Sequence, residues 1–206
     1  AYIFTDAQLE PATLDRMLRT AVEDSFNMLS VDSDTSTSDT CAILANGMAG
    51  PVAEEEFGEA LRAGCIRMAE MMARDGEGAT KLLRSKVDGA TDTRQARTVA
   101  KAIINSPLIK TMAFGADPNV GRVLMAVGKC FDVDQDPQLT QVWINDVEVF
   151  GDGSRRNYDE EGLRKVLAGD PVEIRVALGM GNGSAVAFGC DLTHGYIDEN
   201  AAYYSS

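Results

Sequence analysis

Apolar residues recur at three- and four-residue spacing from 11 to 27, through Leu14, Met17, Leu18, Ala21, Val22 and Phe26. That spacing predicts an amphipathic helix, with Pro11 suited to its first turn. A polar Ser/Thr/Asp stretch follows from Asp32 to Thr40, and Cys41–Ala45 then reads as a short buried strand. A second helix is expected from about Ala53 to Arg74, with Glu54, Glu55 and Glu56 at its positive end and Gly76 beyond its last turn. Its methionines Met68, Met71 and Met72 are expected in the core.

Ala79–Val87 reads as a strand with Lys81, Arg84 and Lys86 interspersed. Residues 93–105 are helical in pattern and stop at Pro107, and Leu108–Phe114 is expected to be extended. Asp117 and Pro118 resemble the cap and first residue of a helix reaching Gly128. Val142–Asn145 and Val147–Phe150 predict strands around a tight turn, and Asp159–Leu167 a short helix. Val172, Ile174, Val176 and Leu178 alternate with polar or small residues, and Ser184–Cys190 returns as a partner strand. Helices and strands alternate without regular βαβ repetition. The expected class is therefore α/β in the broad sense (α+β), a sandwich with substantial antiparallel pairing rather than a Rossmann sheet. No flexible linker marks a domain boundary.

Charge narrows the partners. The chain has 206 residues with 19 basic and 32 acidic side chains, a net charge of −13. Neutralising phosphate needs a basic face, so nucleic acid and anionic membrane are poor partners. No apolar run approaches the roughly 20 residues of a membrane helix. The opening Ala1-Tyr-Ile-Phe-Thr-Asp6 lacks the basic and apolar regions of a signal peptide, and the expected location is cytoplasmic. The four cysteines, Cys41, Cys65, Cys130 and Cys190, form no Cys-x-x-Cys and read as reduced, mostly buried thiols. With His194 as the single histidine, no metal site is expected.

The remaining motifs carry chemistry to different degrees. Gly179-Met-Gly-Asn-Gly183 lies between two strand patterns, so it reads as a hairpin turn rather than a dinucleotide loop. Asp32-Ser-Asp-Thr-Ser36 opens like a calcium loop but has Thr37 where glycine is needed, so it reads as a turn closed by short oxygen side chains. Glu77 stands between Gly76 and Gly78 directly after a helix. A carboxylate there could grip an ammonium group, or the segment could be a capped surface turn. Gly115–Arg122 opens a helix whose N–H groups could bind an anion, unless Asp117 occupies them as the cap. At the end of the chain, Asn200 and Ser205 could donate to a ligand carboxylate, or the aromatic tail could simply dock as a last strand. His194 reads as structural.

Six segments occur in one order: Val31–Thr40, Leu44-Ala-Asn-Gly47, Asp75-Gly-Glu-Gly-Ala-Thr-Lys81, Ser106-Pro-Leu-Ile-Lys-Thr111, Gly115-Ala-Asp-Pro-Asn-Val-Gly-Arg122 and Glu199-Asn-Ala-Ala-Tyr-Tyr-Ser205. Together they resemble the β chain of ornithine acetyltransferase (glutamate N-acetyltransferase), over essentially the whole chain. The resemblance implies an αββα-type sandwich of mixed sheets with flanking helices, of the N-terminal-nucleophile kind. It implies one unit over 1–206, completed by an α chain from the same self-cleaving precursor as an (αβ)2 heterotetramer. The implied reaction moves an acetyl group from N-acetylornithine to glutamate through an acetyl-threonine, without metal or organic cofactor.

By resemblance Glu77 holds substrate ammonium groups, and Asn200 and Ser205 are the C-terminal substrate-binding residues, with serine in the place of the usual threonine. Val120 replaces a tryptophan common in the family motif. No catalytic residue is expected within the chain itself. The nucleophilic threonine belongs about three residues before Ala1, and Thr5, inside a strand, has no free amine. Rival readings are an amidase or aminopeptidase of related fold, which discharges to water, and a non-catalytic amino-acid-binding subunit. Some members of the family also use acetyl-CoA, and no residue here decides that point.

Overall fold

A computed structural model describes residues 1–202 of the chain. It divides into two compact units, one of Ala1–Asn27 with Asp34–Ala69, the other of Met28–Ser33 with residues from Glu70 onward. The class is mixed α/β, with two sheets and flanking helices, as the pattern predicts.

The first unit is a parallel pair joined by a helix. Strands β1 (Tyr2–Gln8) and β2 (Ala42–Pro51) pair from Tyr2 opposite Ala42 to Gln8 opposite Pro51, with a register shift between Thr5 and Ala7. Helix α1 (Pro11–Glu23) and the start of α2 (Glu54–Arg74) supply apolar faces. Ala21, Leu61 and Cys65 form the core there, lined by Ile3, Met17, Phe26, Ile43, Phe57 and Met68. Strand β2 is longer and more open than expected, with Leu44, Ala45 and Asn46 exposed. An apolar run signals a buried strand only when something covers it, and within this sheet β2 has β1 alone as a neighbour. Met68 packs as expected. Met71 and Met72 do not, because at the end of α2 they face outward.

The second unit holds a six-stranded sheet in the order β6-β5-β4-β7-β3-β8. Its strands are β3 (Leu82–Ala90), β4 (Gln141–Ile144), β5 (Val147–Gly151), β6 (Ser154–Arg155), β7 (Val172–Ala177) and β8 (Gly183–Cys190). Only β3 and β7 run parallel; every other neighbour is antiparallel. Leu83, Ser85 and Val87 of β3 are buried while Arg84, Lys86 and Asp88 alternate to the other face. There Lys86 pairs with Glu173 at 2.9 Å, Arg175 with Asp88 at 2.8 Å, and the Arg175 guanidinium lies 4.5 Å from the Trp143 ring centre. Helices α3 (Thr93–Ile104), α4 (Pro107–Phe114), α5 (Val120–Gly128) and α6 (Glu160–Leu167) supply the other side of the core. Gln95, Ala96, Val99, Ala100, Ile103 and Ile104 form the buried stripe of α3, capped by Asp92 accepting from the Gln95 amide.

Three expectations are corrected here. Residues 108–114 are helix, not strand. Pro107 does end the path of α3, but its fixed φ equally suits the first turn of α4, and Ile109, Lys110, Met112 and Ala113 are buried at helical spacing. Asp117 does not cap α5. The cap position falls on Asn119, and Asp117 faces Arg164 at 3.5 Å.

Gly179–Gly183 is not a hairpin, because β3 lies between β7 and β8. The segment crosses the end of β3, with Met180 and Gly181 amides donating to the Gly89 carbonyl at 2.7 and 3.0 Å. A Cβ at Gly181 or Gly183 would fall onto the backbone of Ala90 or Asp92, so the crossing needs glycine for close approach. The described chain ends in a helix, α7 (His194–Ala201), and the aromatic tail from Tyr203 onward lies outside the described residues.

Short oxygen side chains in and just before the Asp32–Thr40 segment satisfy its backbone, as expected. Ser33 donates its amide to Ser30 Oγ at 3.1 Å, and Ser36 donates to Asp39 Oδ2 at 3.2 Å. Among the described residues no group of acidic, Cys or His side chains could hold a metal, and no helix is long and apolar enough to cross a membrane.

Candidate functional site

The Asp75–Lys81 loop leaves α2 and enters β3 under several restraints. The loop closes locally with the Ala79 amide on the Gly76 carbonyl at 2.9 Å. Gly76 is pressed so closely against Cys190 that a Cβ would lie 2.7 Å from its Sγ, with Val31 3.2 Å away. Gly78, at φ +62°, lies directly on the backbone of Gly195 and Tyr196. Side chains larger than hydrogen fit at neither position, which leaves Glu77 between two fixed points.

Asp191 anchors the far end of the loop. Its carboxylate, 2% exposed, accepts from the Thr80 amide at 2.8 Å, the Lys81 amide at 3.0 Å and the Thr80 hydroxyl. Lys81 is also buried, and its ammonium donates to the Ala113 and Leu167 carbonyls, each at 2.7 Å. Those carbonyls end α4 and α6, so one cation satisfies the negative ends of two helices. Lys110 donates to the Cys190 carbonyl and lies 3.7 Å from its thiol. Burial holds the Lys110 ammonium below the ordinary lysine value, against the opposing pull of Cys190, Asp191 and Asp32. Burial likewise pushes the Cys190 thiol up, more than Lys110 pulls it down, which keeps it protonated near neutrality. All four cysteines are free and raised in the same sense.

Helix α7 brings the second candidate to the first. Thr193 caps it, accepting from the Gly195 amide at 3.0 Å and donating to the Gly78 carbonyl. Tyr196 and Asn200 follow one turn apart on one face. The Tyr196 hydroxyl donates to Asp32 Oδ2 at 3.0 Å, and Asn200 Nδ2 donates to Glu77 Oε2 at 3.3 Å and to the Tyr196 carbonyl at 3.0 Å. Glu77 and Asn200, 123 residues apart, thus meet at the surface. Among the described residues Glu77 has no cationic partner. A carboxylate beside a neutral amide, with no counter-ion of its own, is suited to receive an ammonium group.

The third candidate, Ser205, lies outside the described residues. His194 is exposed at the first turn of α7 and sits edge-on to Phe114, with ring centres 6.2 Å apart. The Gly115–Arg122 motif does not join Glu77. Its Arg122 is spent on the Leu108 carbonyl at 2.7 Å and the Thr111 hydroxyl at 3.2 Å. Sequence reasoning missed Asp191, Thr193 and Tyr196. The available signal was Asp191-Leu-Thr193 ahead of a helix, which is a capping pattern.

The chain matches the ArgJ family over residues 1–205. It is 50% identical over 205 residues to the arginine biosynthesis bifunctional protein ArgJ of Rhodococcoides fascians, covering 98% of this chain and 51% of that protein. It is 44% identical over 207 residues to glutamate N-acetyltransferase Oat2 of Streptomyces clavuligerus, covering 98% and 53%. Among solved structures it resembles the arginine biosynthesis bifunctional protein argJ of Bacillus halodurans, with a TM-score of 0.94, 36% identity and 98% of both chains covered. The chain spans about half the length of the curated relatives it matches. Motif order, fold and these likenesses agree, and the chain belongs to the ArgJ family.

Proposed function

We propose that this chain is the β chain of an ornithine acetyltransferase, which moves the acetyl group of N-acetylornithine to glutamate. Residues 1–206 act as one unit, completed by an α chain from the same precursor as a cytoplasmic (αβ)2 heterotetramer. In the first half-reaction, the hydroxyl of a threonine preceding Ala1 attacks the acetyl carbonyl. The amide C–N bond breaks, and ornithine leaves with the proton. In the second, the α-amine of glutamate attacks the acetyl ester, giving N-acetylglutamate and restoring the hydroxyl. The α-amine of the threonine, with a pKa near neutrality, serves as the base. Acyl transfer between two amines needs no redox or organic cofactor.

The observation that carries this reading is the uncompensated Glu77 carboxylate beside Asn200. Its task is to hold the ammonium of the amino-acid substrate, with Asn200 and Ser205 supplying neutral hydrogen bonds. The open sheet of the first unit supports a partner chain. A two-stranded parallel pair is rarely stable alone. This one leaves Tyr2, Phe4, Leu44 and Met48 exposed.

The test is steady-state kinetics of the full reading frame with N-acetylornithine and glutamate. Glu77→Gln should weaken N-acetylornithine by about 2 kcal/mol, roughly thirtyfold in KM. An unchanged KM removes Glu77 from the site. Turnover that ignores glutamate and releases acetate to water would replace the transferase with a hydrolase.

A further inference from the structure

The hydroxyl of Thr193 lies between two glycines, one following Glu77 and the other in the first turn of the helix that carries Asn200. Its single proton goes to the carbonyl of Gly78, and a lone pair takes the amide of Gly195. Thr193 is 8% exposed. The two glycines are in direct backbone contact. A Cβ on Gly78 would fall on Gly195 and Tyr196, and one on Gly195 would reach Gly78 Cα at 3.0 Å. No side chain can pad this junction. Its register rests on a group that donates to one strand of backbone and accepts from the other, which a hydroxyl does and a methyl does not.

We propose that Thr193 is a positioning residue, whose hydroxyl sets the spacing of Glu77 and Asn200 and thereby the affinity for the ammonium-bearing substrate. This rests on the assignment of Glu77 and Asn200 as substrate ligands. The chemistry requires this geometry because Asn200 reaches Glu77 Oε2 at 3.3 Å, near the limit of a useful hydrogen bond. A small slide of α7 along the Gly78 backbone would break that contact and free the carboxylate to rotate away from its ligand.

A double-mutant cycle in the protein expressed from its full reading frame tests this. The readouts are KM and kcat for N-acetylornithine at saturating glutamate, with thermal stability alongside. Thr193→Ala should raise KM about tenfold and change kcat by less than about twofold, whereas Thr193→Ser should stay near the parent. Thr193→Val, which keeps the volume and the β-branch, should repeat the alanine result and serves if the alanine variant is unstable. In a Glu77→Gln background, Thr193→Ala should add little, because the group it positions has already lost its charge.

If Glu77→Gln raises KM while Thr193→Ala and Thr193→Val leave it unchanged, the positioning role falls and the Glu77 assignment stands. Full additivity of the two substitutions, or a fall in thermal stability alone, would reduce Thr193 to a helix cap and overturn the proposal equally. If Glu77→Gln leaves KM unchanged, the underlying assignment fails, and this proposal with it.

Discussion

Replacing Asp191 measures how firmly the candidate site is tied to the sheet. One carboxylate oxygen takes the Thr80 and Lys81 amides, and the other takes the Thr80 hydroxyl. In Asp191→Asn the amide oxygen can keep both N–H donors, and the new NH2 faces a hydroxyl that can turn and accept. Every bond can be remade, but without the charge. Charged hydrogen bonds exceed neutral ones by about 1 kcal/mol, so two backbone bonds predict a loss of about 2 kcal/mol.

Asp191→Ala instead leaves two buried backbone amides without an acceptor, at about 1–3 kcal/mol each, for a loss of about 4 kcal/mol. In urea unfolding, with a slope of about 2 kcal/mol/M, the midpoint should fall by about 1 M for asparagine and about 2 M for alanine. Glu77 hangs on this loop, so under the proposed function the KM for N-acetylornithine should rise in the same order. An alanine variant within about 0.5 kcal/mol of the parent would refute the anchoring role. An asparagine variant as damaging as alanine would refute the division between charge and geometry.

Further expectations follow from the same structure. Because Lys110 is held below its ordinary value, the unfolded chain binds that proton more tightly than the folded one. Stability contributed by this residue should therefore rise with pH, from the lowered folded value up to about 10.4. The stability difference between the parent and Lys110→Met, measured from pH 7 to 10, should shift in favour of the parent, and a flat difference would contradict the depressed ammonium. Gly183→Ala drives a Cβ into the Asp92 backbone at the cap of α3 and should cost about 1–3 kcal/mol by thermal unfolding. In contrast, Gly64→Ala in α2 meets nothing within 4 Å and should stabilise by about 0.5–1 kcal/mol. A silent Gly183→Ala would mean the loop crossing β3 is slack.

Read without a structure, the residues give a strand with Arg84 and Lys86 interspersed, the apolar face of α3, a tight turn at Asp146 and a short helix from Asp159 to Leu167. Each of these follows from local periodicity or from a cap one turn away. Motif order was equally legible, and it marked Glu77 and Asn200 as candidates. Periodicity could not say that β3 enters between β7 and β8, because strand order is decided by which long-range pairing buries the most surface. Nor could it say that Pro107 opens a helix as well as closing one, since the choice lay with the core that takes Ile109 and Met112.

The meeting of Glu77 with Asn200 belongs to the same class of fact. Nothing local joins residues 123 apart. The Gly78–Gly195 contact, the Thr193 hydroxyl and the Asp191 anchor bring them together, and these exist only once β3 and β8 lie side by side. The sequence by itself marked Glu77 and Asn200 as candidates and determined which faces of the helices and strands are apolar. The tertiary structure alone decided their distance, because a spacing of a few ångströms is set by backbone contact and buried hydrogen bonds rather than by propensity.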